Sequence, residues 1–146
     1  MKFREANEGD LDILVGMMRE LYEHDGVTFD EDRSRRVSLE LLGLPDQGRI
    51  WLIELEGEPA GYYVLTYGFS LEYQGRHGFI DELFVRREFR GQGLGGLAVE
   101  HASAVCRTLG MKVILLEVAH SNERAHRLYE RIGFHEHGRR LMSRMI

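Results

Sequence analysis

Between residues 11 and 21, Leu11, Leu14, Val15, Met18 and Leu21 recur at the three-and-four spacing that gives a helix one apolar face. Asp10 stands where an N-cap belongs, so a first helix is predicted from Asp10 to about Tyr22. A second is predicted from about Asp30 to Leu42, stopped by Gly43 with Pro45 just beyond. Ahead of both, residues 2–6 read as a short edge strand. Farther on, Ile50-Trp51-Leu52-Ile53-Glu54-Leu55 and Ala60-Gly61-Tyr62-Tyr63-Val64-Leu65 read as strands, and the turn Glu56-Gly57-Glu58-Pro59 makes them a hairpin. Residues 71–77 form a polar loop and 78–86 a third long strand. A glycine-rich run then opens an amphipathic helix over 94–109, which Gly110 stops. The nearly all-apolar segment Lys112 to Val118 is predicted to be a strand buried on both faces. A last helix runs from Ser121 or Asn122 to Ile132, ends at Gly133, and is followed by a final strand near Leu141. This order, β-α-α-β-β-β-α-β-α-β, suits a mixed sheet with helices on both faces, an α/β (α+β) domain.

No linker, repeat or low-complexity segment divides the 146 residues, so residues 1–146 are expected to form one domain with a core of its own. A net charge of −5 speaks against nucleic acid as the main partner, since such proteins present a basic face. The single cysteine, Cys106, excludes an internal disulfide, suits a reducing compartment and reads as a small core residue. Charge from Lys2 onward leaves no signal-peptide apolar region, and no apolar run approaches the roughly 20 residues of a membrane span. A cytoplasmic domain with no membrane partner is the expectation.

The chemistry concentrates in Arg90-Gly91-Gln92-Gly93-Leu94-Gly95-Gly96, between a strand and a helix. Glycines there let backbone N–H groups approach a phosphate at the positive end of the helix. A P-loop would end in Gly-Lys-Ser/Thr, and this turn ends Gly95-Gly96-Leu97. Gly91-x-Gly93-x-x-Gly96 matches a dinucleotide fingerprint literally, with Glu117 at the end of the next strand. Only 29 residues follow Glu117, too few to complete a dinucleotide-binding sheet, and the motif lies behind two helices and a hairpin. A metal reading of His135-x-His137 lacks a nearby cysteine to complete a ligand set, and no metal is expected.

Arg90-x-x-Gly93-x-Gly95 resembles the R/Q-x-x-G-x-G/A motif of the GNAT superfamily of N-acetyltransferases. Two neighbours strengthen the likeness. Ile80 to Val85 is similar to that family's acidic-then-apolar fourth strand, and Asn122 to Phe134 resembles its N-x-x-A-x-x-L-Y-x-x-x-G-F signature, so residues 78–135 match closely. The resemblance implies a mostly antiparallel sheet of six or seven strands with about four helices, splayed at strands 4 and 5. It also implies acetyl transfer from acetyl-CoA to a primary amine within a ternary complex, and a homodimer. The fourth strand is similar to the small-amine branch, which points to a polyamine, diamine or amino-acid-like acceptor. A protein lysine or N-terminus, or a non-catalytic acyl-CoA sensor, are the alternatives.

On this likeness the amides of Arg90, Gly91, Gln92, Gly93, Leu94, Gly95 and Gly96 hold the pyrophosphate, Arg90 adding either a charge or a turn-fixing hydrogen bond. The main chains of Leu83, Phe84 and Val85, with Asn122 and Ala125, flank the pantetheine arm, and Leu115 and Leu116 lie on the facing strand. Glu117 either touches substrate or ends a strand at the surface. Tyr129 is the implied general acid or else a packing residue, and Asn122 doubles as a candidate N-cap of its helix. A free alkylamine is roughly one part in two thousand nucleophilic at pH 7, so a base is needed. Asp81 and Glu82 are both candidates, and without a bulge only one can face the cleft. Six acidic residues between Glu20 and Asp32, with no Lys or Arg among them, suggest a cleft for a cation or merely a solvated loop; Tyr22, Phe29 and Tyr67 could shape the same pocket.

Overall fold

The computed structural model describes all 146 residues. Its elements are β1 (Lys2–Glu5), α1 (Leu11–Asp25), α2 (Glu31–Leu42), β2 (Gly48–Leu55), β3 (Glu58–Ser70), β4 (Gly75–Val85), α3 (Leu94–Thr108), β5 (Ile114–Leu116) and α4 (Glu123–Arg131). The strands lie in one sheet in chain order. Pairing is antiparallel from β1 through β4 and parallel between β4 and β5.

Alternation along the strands sorts two cores. Ile50, Leu52, Tyr62 and Val64 pack with Leu14, Met17 and Met18 of α1. On the opposite face Ile53, Tyr63 and Leu65 pack with Leu94, Ala98, Val99 and Ala102 of α3, and Cys106 is buried there. The β2–β3 turn is only Glu56 and Gly57, at φ 53° and 87°, the two positive values that a type I′ hairpin requires. Pro59 is therefore not a turn residue as expected but the second residue of β3, opposite an irregularity at Ile53/Glu54 where a missing N–H is tolerated. The hairpin linking β3 to β4 has only residues 71–74 outside the strands; Gly75, Arg76 and His77 of the expected loop pair with Ser70, Phe69 and Gly68.

Three other expectations are corrected. Asp10 does not cap α1 with its side chain. A turn of 3-10 helix capped by Asn7 precedes α1, and the Asp10 carboxylate accepts the Asn7 N–H at 2.9 Å and a fork of hydrogen bonds from Arg4 at 2.9 and 2.8 Å. The charged partner wins because charge-assisted hydrogen bonds are the stronger kind. β5 is three half-buried residues, not a seven-residue strand buried on both faces. It forms the sheet's outer edge, since no strand follows near Leu141, and the sheet has five strands instead of six or seven. Residues 135–140 are His-Glu-His-Gly-Arg-Arg, with no apolar position to hold a strand face, and Arg139 is instead forked onto Glu72 at 2.8 Å.

The expected splay is present. β4 and β5 pair only over Gly78–Ile80 and Ile114–Leu116, so β4 continues to Val85 with β3 on one side and no strand on the other.

Candidate active site

The register of β4 against β3 slips once. Leu65 pairs with Ile80 and Val64 with Glu82, which leaves Asp81 as an extra residue, a β-bulge. Had the strand run on regularly, Glu82 would share a face with Ile80 beneath α3. The bulge turns it to the opposite face, among Tyr62, Val64 and Phe84 under α1.

There Glu82 has both carboxylate oxygens engaged. The Tyr62 hydroxyl donates to Oε2 at 2.7 Å and the Tyr22 hydroxyl to Oε1 at 3.2 Å. Burial pushes the Glu82 carboxyl above its ordinary range; the two tyrosine donors pull it down, Asp81 and Asp25 push it up, and the net direction is upward. A carboxylate shifted this way is closer to the neutral pKa that suits a general base. Exposed Asp81 lines the same cleft, a cavity of about 320 Å³ between α1, α2 and the sheet. Along α2 the residues facing it are Asp30, Arg33, Ser34, Val37, Ser38 and Leu41, one helical stripe beginning at the N-cap.

Most of the acidic segment does not face this cleft as free charge. Glu31 pairs with Arg19 at 2.8 Å, Glu20 with Arg86 at 3.2 Å, and the Asp30 carboxylate caps α2 through the Arg33 N–H at 3.0 Å. Tyr22 lines the cleft and Phe29 packs on it edge to face at 5.5 Å, but Tyr67 does not belong to it. From Tyr63 onward the odd-numbered positions of β3 face α3, so Tyr67 lies on the other side of the sheet, under Arg76.

Beside the unpaired end of β4 stand the glycine turn and α4. Gly91 and Gly93 have φ of 81° and 77°, conformations that a side chain disfavours. Gly93 is the N-cap of α3 and offers no side chain of its own; Leu97 is the residue whose N–H reaches back to its carbonyl, at 3.1 Å. The N–H groups of Leu94, Gly95 and Gly96 are the orphan donors of a helix N-terminus. No heavy atom lies within 4 Å of a Cβ built on Gly93 or Gly95, so this end of the helix is open. Arg90 Nε donates to the Val85 carbonyl at 2.9 Å, tying the turn to the end of β4. Of its two expected roles, the turn-fixing hydrogen bond is the one formed.

α4 approaches the same place. Leu128 comes within 3.6 Å of where Gly96 would carry a Cβ, and Asn122 caps the helix by accepting the Ala125 N–H at 3.1 Å. Tyr129 is half-buried against the α3-side core with Phe134 at 5.8 Å between ring centroids, and burial raises its hydroxyl pKa. Leu83 and Val85 pack on that face, while Phe84 is buried on the other. Glu117 is exposed, one residue beyond β5. Asp81 and Glu82 thus share one cleft, whereas Tyr129 packs on the opposite face, and the gap where β4 leaves β5 lies between the two faces. Sequence reasoning missed Tyr62 as the main donor to Glu82: it lies in an alternating apolar strand, 20 positions away.

Comparison with known proteins gives a consistent picture. The model of the acetyltransferase (GNAT) family matches residues 15–134. The thialysine N-epsilon-acetyltransferase of Bos taurus is 30% identical over 139 residues, covering 89% of this chain and 81% of that protein. An uncharacterized N-acetyltransferase of Archaeoglobus fulgidus is 32% identical over 131 residues, covering 88% of this chain and 89% of that one. Among solved structures, an integron cassette protein from the mobile metagenome of Cole Harbour Salt Marsh superposes with a TM-score of 0.88. It is 42% identical and covers 99% of this chain and 90% of its own.

Proposed function

The chain belongs to the GNAT acetyltransferase family, and we propose that it moves the acetyl group of acetyl-CoA directly onto a primary amine of a small molecule. The observation that carries this reading is Glu82, turned by the Asp81 bulge into a small cleft and held there by two tyrosine hydroxyls. When bound, acetyl-CoA supplies a thioester carbon open to attack and a thiolate as leaving group.

The residues of this chain do the rest. The open N-terminus of α3 holds the pyrophosphate through the amides of Leu94, Gly95 and Gly96, with Gly91 and Gly93 shaping the turn. An amine entering the cleft meets Asp81, which steadies the ammonium form, and Glu82, which removes its proton. Tyr129, on the other side of the gap, is the proton donor to the departing sulfur. A phenol is a weaker acid than a thiol by about 1.5 pKa units, and burial raises Tyr129 further, so its hydroxyl is protonated at neutral pH and ready to donate. Cys106 is buried and its thiol is pushed up, which favours direct transfer over a cysteine-bound acetyl group. The acceptor reading draws support from the cleft's small volume and from the thialysine acetyltransferase relatives. A homodimer in the cytoplasm belongs to the same proposal; no helix is long and apolar enough to cross a membrane.

The test is calorimetric titration with acetyl-CoA and, as control, NADH, followed by release of free CoA in the presence of small primary amines. Micromolar binding of acetyl-CoA alone, with amine-dependent CoA release, is the expected result. NADH binding, or no release with any amine, overturns it.

A further inference from the structure

We propose that Tyr22 is the gate of the acceptor site: its hydroxyl stands on the Glu82 oxygen that the amine has to reach, and the acceptor binds by taking that place. This deepens, and rests on, the acetyltransferase reading above.

The two bonds to Glu82 differ in kind. Tyr62 is 0% exposed, and its hydroxyl donates to Oε2 at 2.7 Å. Its strand β3 is paired on both sides, with β2 and with β4, so this donor cannot leave without opening the sheet. Tyr22 is half-buried on the last turn of α1 and donates to Oε1 at 3.2 Å. That is longer than the usual range of roughly 2.5–3.0 Å for an O–H···O bond. Tyr22 lines the cleft with Asp81 and Glu82, while Leu14, Met17 and Met18 hold α1 in the core. Its ring meets Phe29 edge to face at 5.5 Å, and Phe29 lies in the connection between α1 and α2. Turning the Tyr22 side chain therefore breaks one long hydrogen bond and one edge contact, and leaves the core as it is.

An amine entering the cleft finds Oε2 taken from within the sheet and Oε1 covered by Tyr22. An ammonium–carboxylate bond joins two charges, whereas the tyrosine brings none of its own. The exchange of O–H for N–H on Oε1 therefore runs in favour of the cation, and Asp81 adds a second carboxylate beside it. A neutral molecule in the cleft has no such advantage. Tyr22 thus keeps the base covered until a cation arrives.

The groups that face Glu82 are Tyr62 from β3, Tyr22 and Asp25 from α1, and Asp81 beside it on β4; Asp30 and Arg33 of α2 line the same cleft. Of the two hydroxyl donors, only Tyr22 changes partner when the acceptor binds. Tyr62 holds Glu82 with the cleft empty or filled, and Tyr22 holds it only when the cleft is empty. The pH profile of kcat/KM reports the free enzyme and that of kcat the loaded one, so the two tyrosines leave different signatures.

The experiment compares the wild type, Y22F and Y62F, with n-butylamine, cadaverine and lysine as acceptors. Amine binding is measured calorimetrically in the presence of CoA, at a pH above the acidic limb, and both pH profiles are recorded. Y22F is expected to bind the amines about fivefold tighter, since no bond has to be broken first. The acidic limb of kcat/KM should rise by about 0.7 of a pH unit, the same fivefold on the proton scale, while the limb of kcat stays in place. In Y62F both limbs should rise. Unchanged or weaker amine binding by Y22F, both of its limbs moving together, or no binding of any of the three amines overturns the inference. Acetyl-CoA titrated into the same samples should bind Y22F as it binds the wild type; absence of binding to the wild type is instead a failure of the acetyltransferase reading. Phe keeps the edge contact with Phe29, and coincident thermal melting of Y22F and the wild type shows that the fold is intact.

Discussion

Tyr62 and Glu82 are diagonal neighbours across β3 and β4, on one face, and their side chains meet at 2.7 Å. Tyr62 is fully buried, so this hydroxyl is a fixed donor, whereas Tyr22 reaches the other carboxylate oxygen from the helix above at 3.2 Å. The candidate base is therefore held from within the sheet and from the lid of the cleft at once.

Replacing Glu82 by Gln separates catalysis from stability. General-base catalysis contributes about 10²- to 10⁴-fold, so kcat should fall within that range. The folded pKa of Glu82 lies above its ordinary value of 4.5, so the folded state binds more protons than the unfolded one in the window just above 4.5. Stability from this residue is present below that window and is lost as pH rises through the folded pKa. Thermal melting should show E82Q at least as stable as the wild type at pH 7, with a flatter dependence on pH. A variant that loses stability at pH 7 contradicts this.

Tyr62→Phe removes a donor that favours the ionised carboxylate. The acidic limb of the kcat/KM profile should move to higher pH, because Glu82 then loses one of the two bonds that hold its pKa down. Stability should fall by about 1 kcal/mol, the usual net value of such a bond. An unmoved limb would mean that Glu82 is not the group being titrated.

Tyr129→Phe should reduce kcat by about 10²-fold or more, with acetyl-CoA affinity retained. An unchanged kcat would reduce Tyr129 to its packing against Phe134.

Gly93→Val places a branched side chain at φ 77° and beside the open helix N-terminus. Calorimetry should show acetyl-CoA binding lost. Undiminished affinity would put the pyrophosphate elsewhere.

His101 supplies a pH effect away from the site. Its ring stacks on Phe3 at 4.4 Å between centroids, Trp51 stands edge-on, and the Tyr63 hydroxyl lies 2.6 Å from Nδ1. Burial lowers its pKa below 6.5, so the folded state holds it neutral where the unfolded chain is protonated. Its contribution to stability is present above about pH 6.5 and is lost as pH falls through the folded value. His101→Gln should flatten the decline of melting temperature just below pH 6.5; an equally steep decline would assign it to other groups.

Much of this was legible in the chain because the relevant signals are local. The glycine turn, the α4 signature and the periodicity of α1 and α2 each lie within a dozen or so consecutive residues. What escaped depends on pairing between distant segments. Phe79-Ile80-Asp81-Glu82-Leu83-Phe84-Val85 contains nothing to mark Asp81 as the bulged residue, since the slip is defined by Val64 and Leu65 on another strand. The same holds for the acidic segment, two of whose six carboxylates, Glu31 and Glu20, are paired with Arg19 and Arg86 from outside it. The final strand failed for a different reason: Leu141 and Met142 are apolar, but the six residues before them provide no buried face.

The bulge also sets how β4 can tolerate loss of length. Deleting any other interior residue of the strand would reverse the facing of everything on one side of the cut, burying polar groups or exposing apolar ones. Deleting Asp81 would not. Ile80 would still oppose Leu65 and Glu82 would still oppose Val64, with the strand merely straightened. What would go is the local twist that a bulge adds to β4, together with the exposed carboxylate of Asp81 that lines the cleft. The point of this strand most forgiving of a one-codon deletion thus lies in the candidate active site, and the damage there would be a narrowed passage between two intact cores.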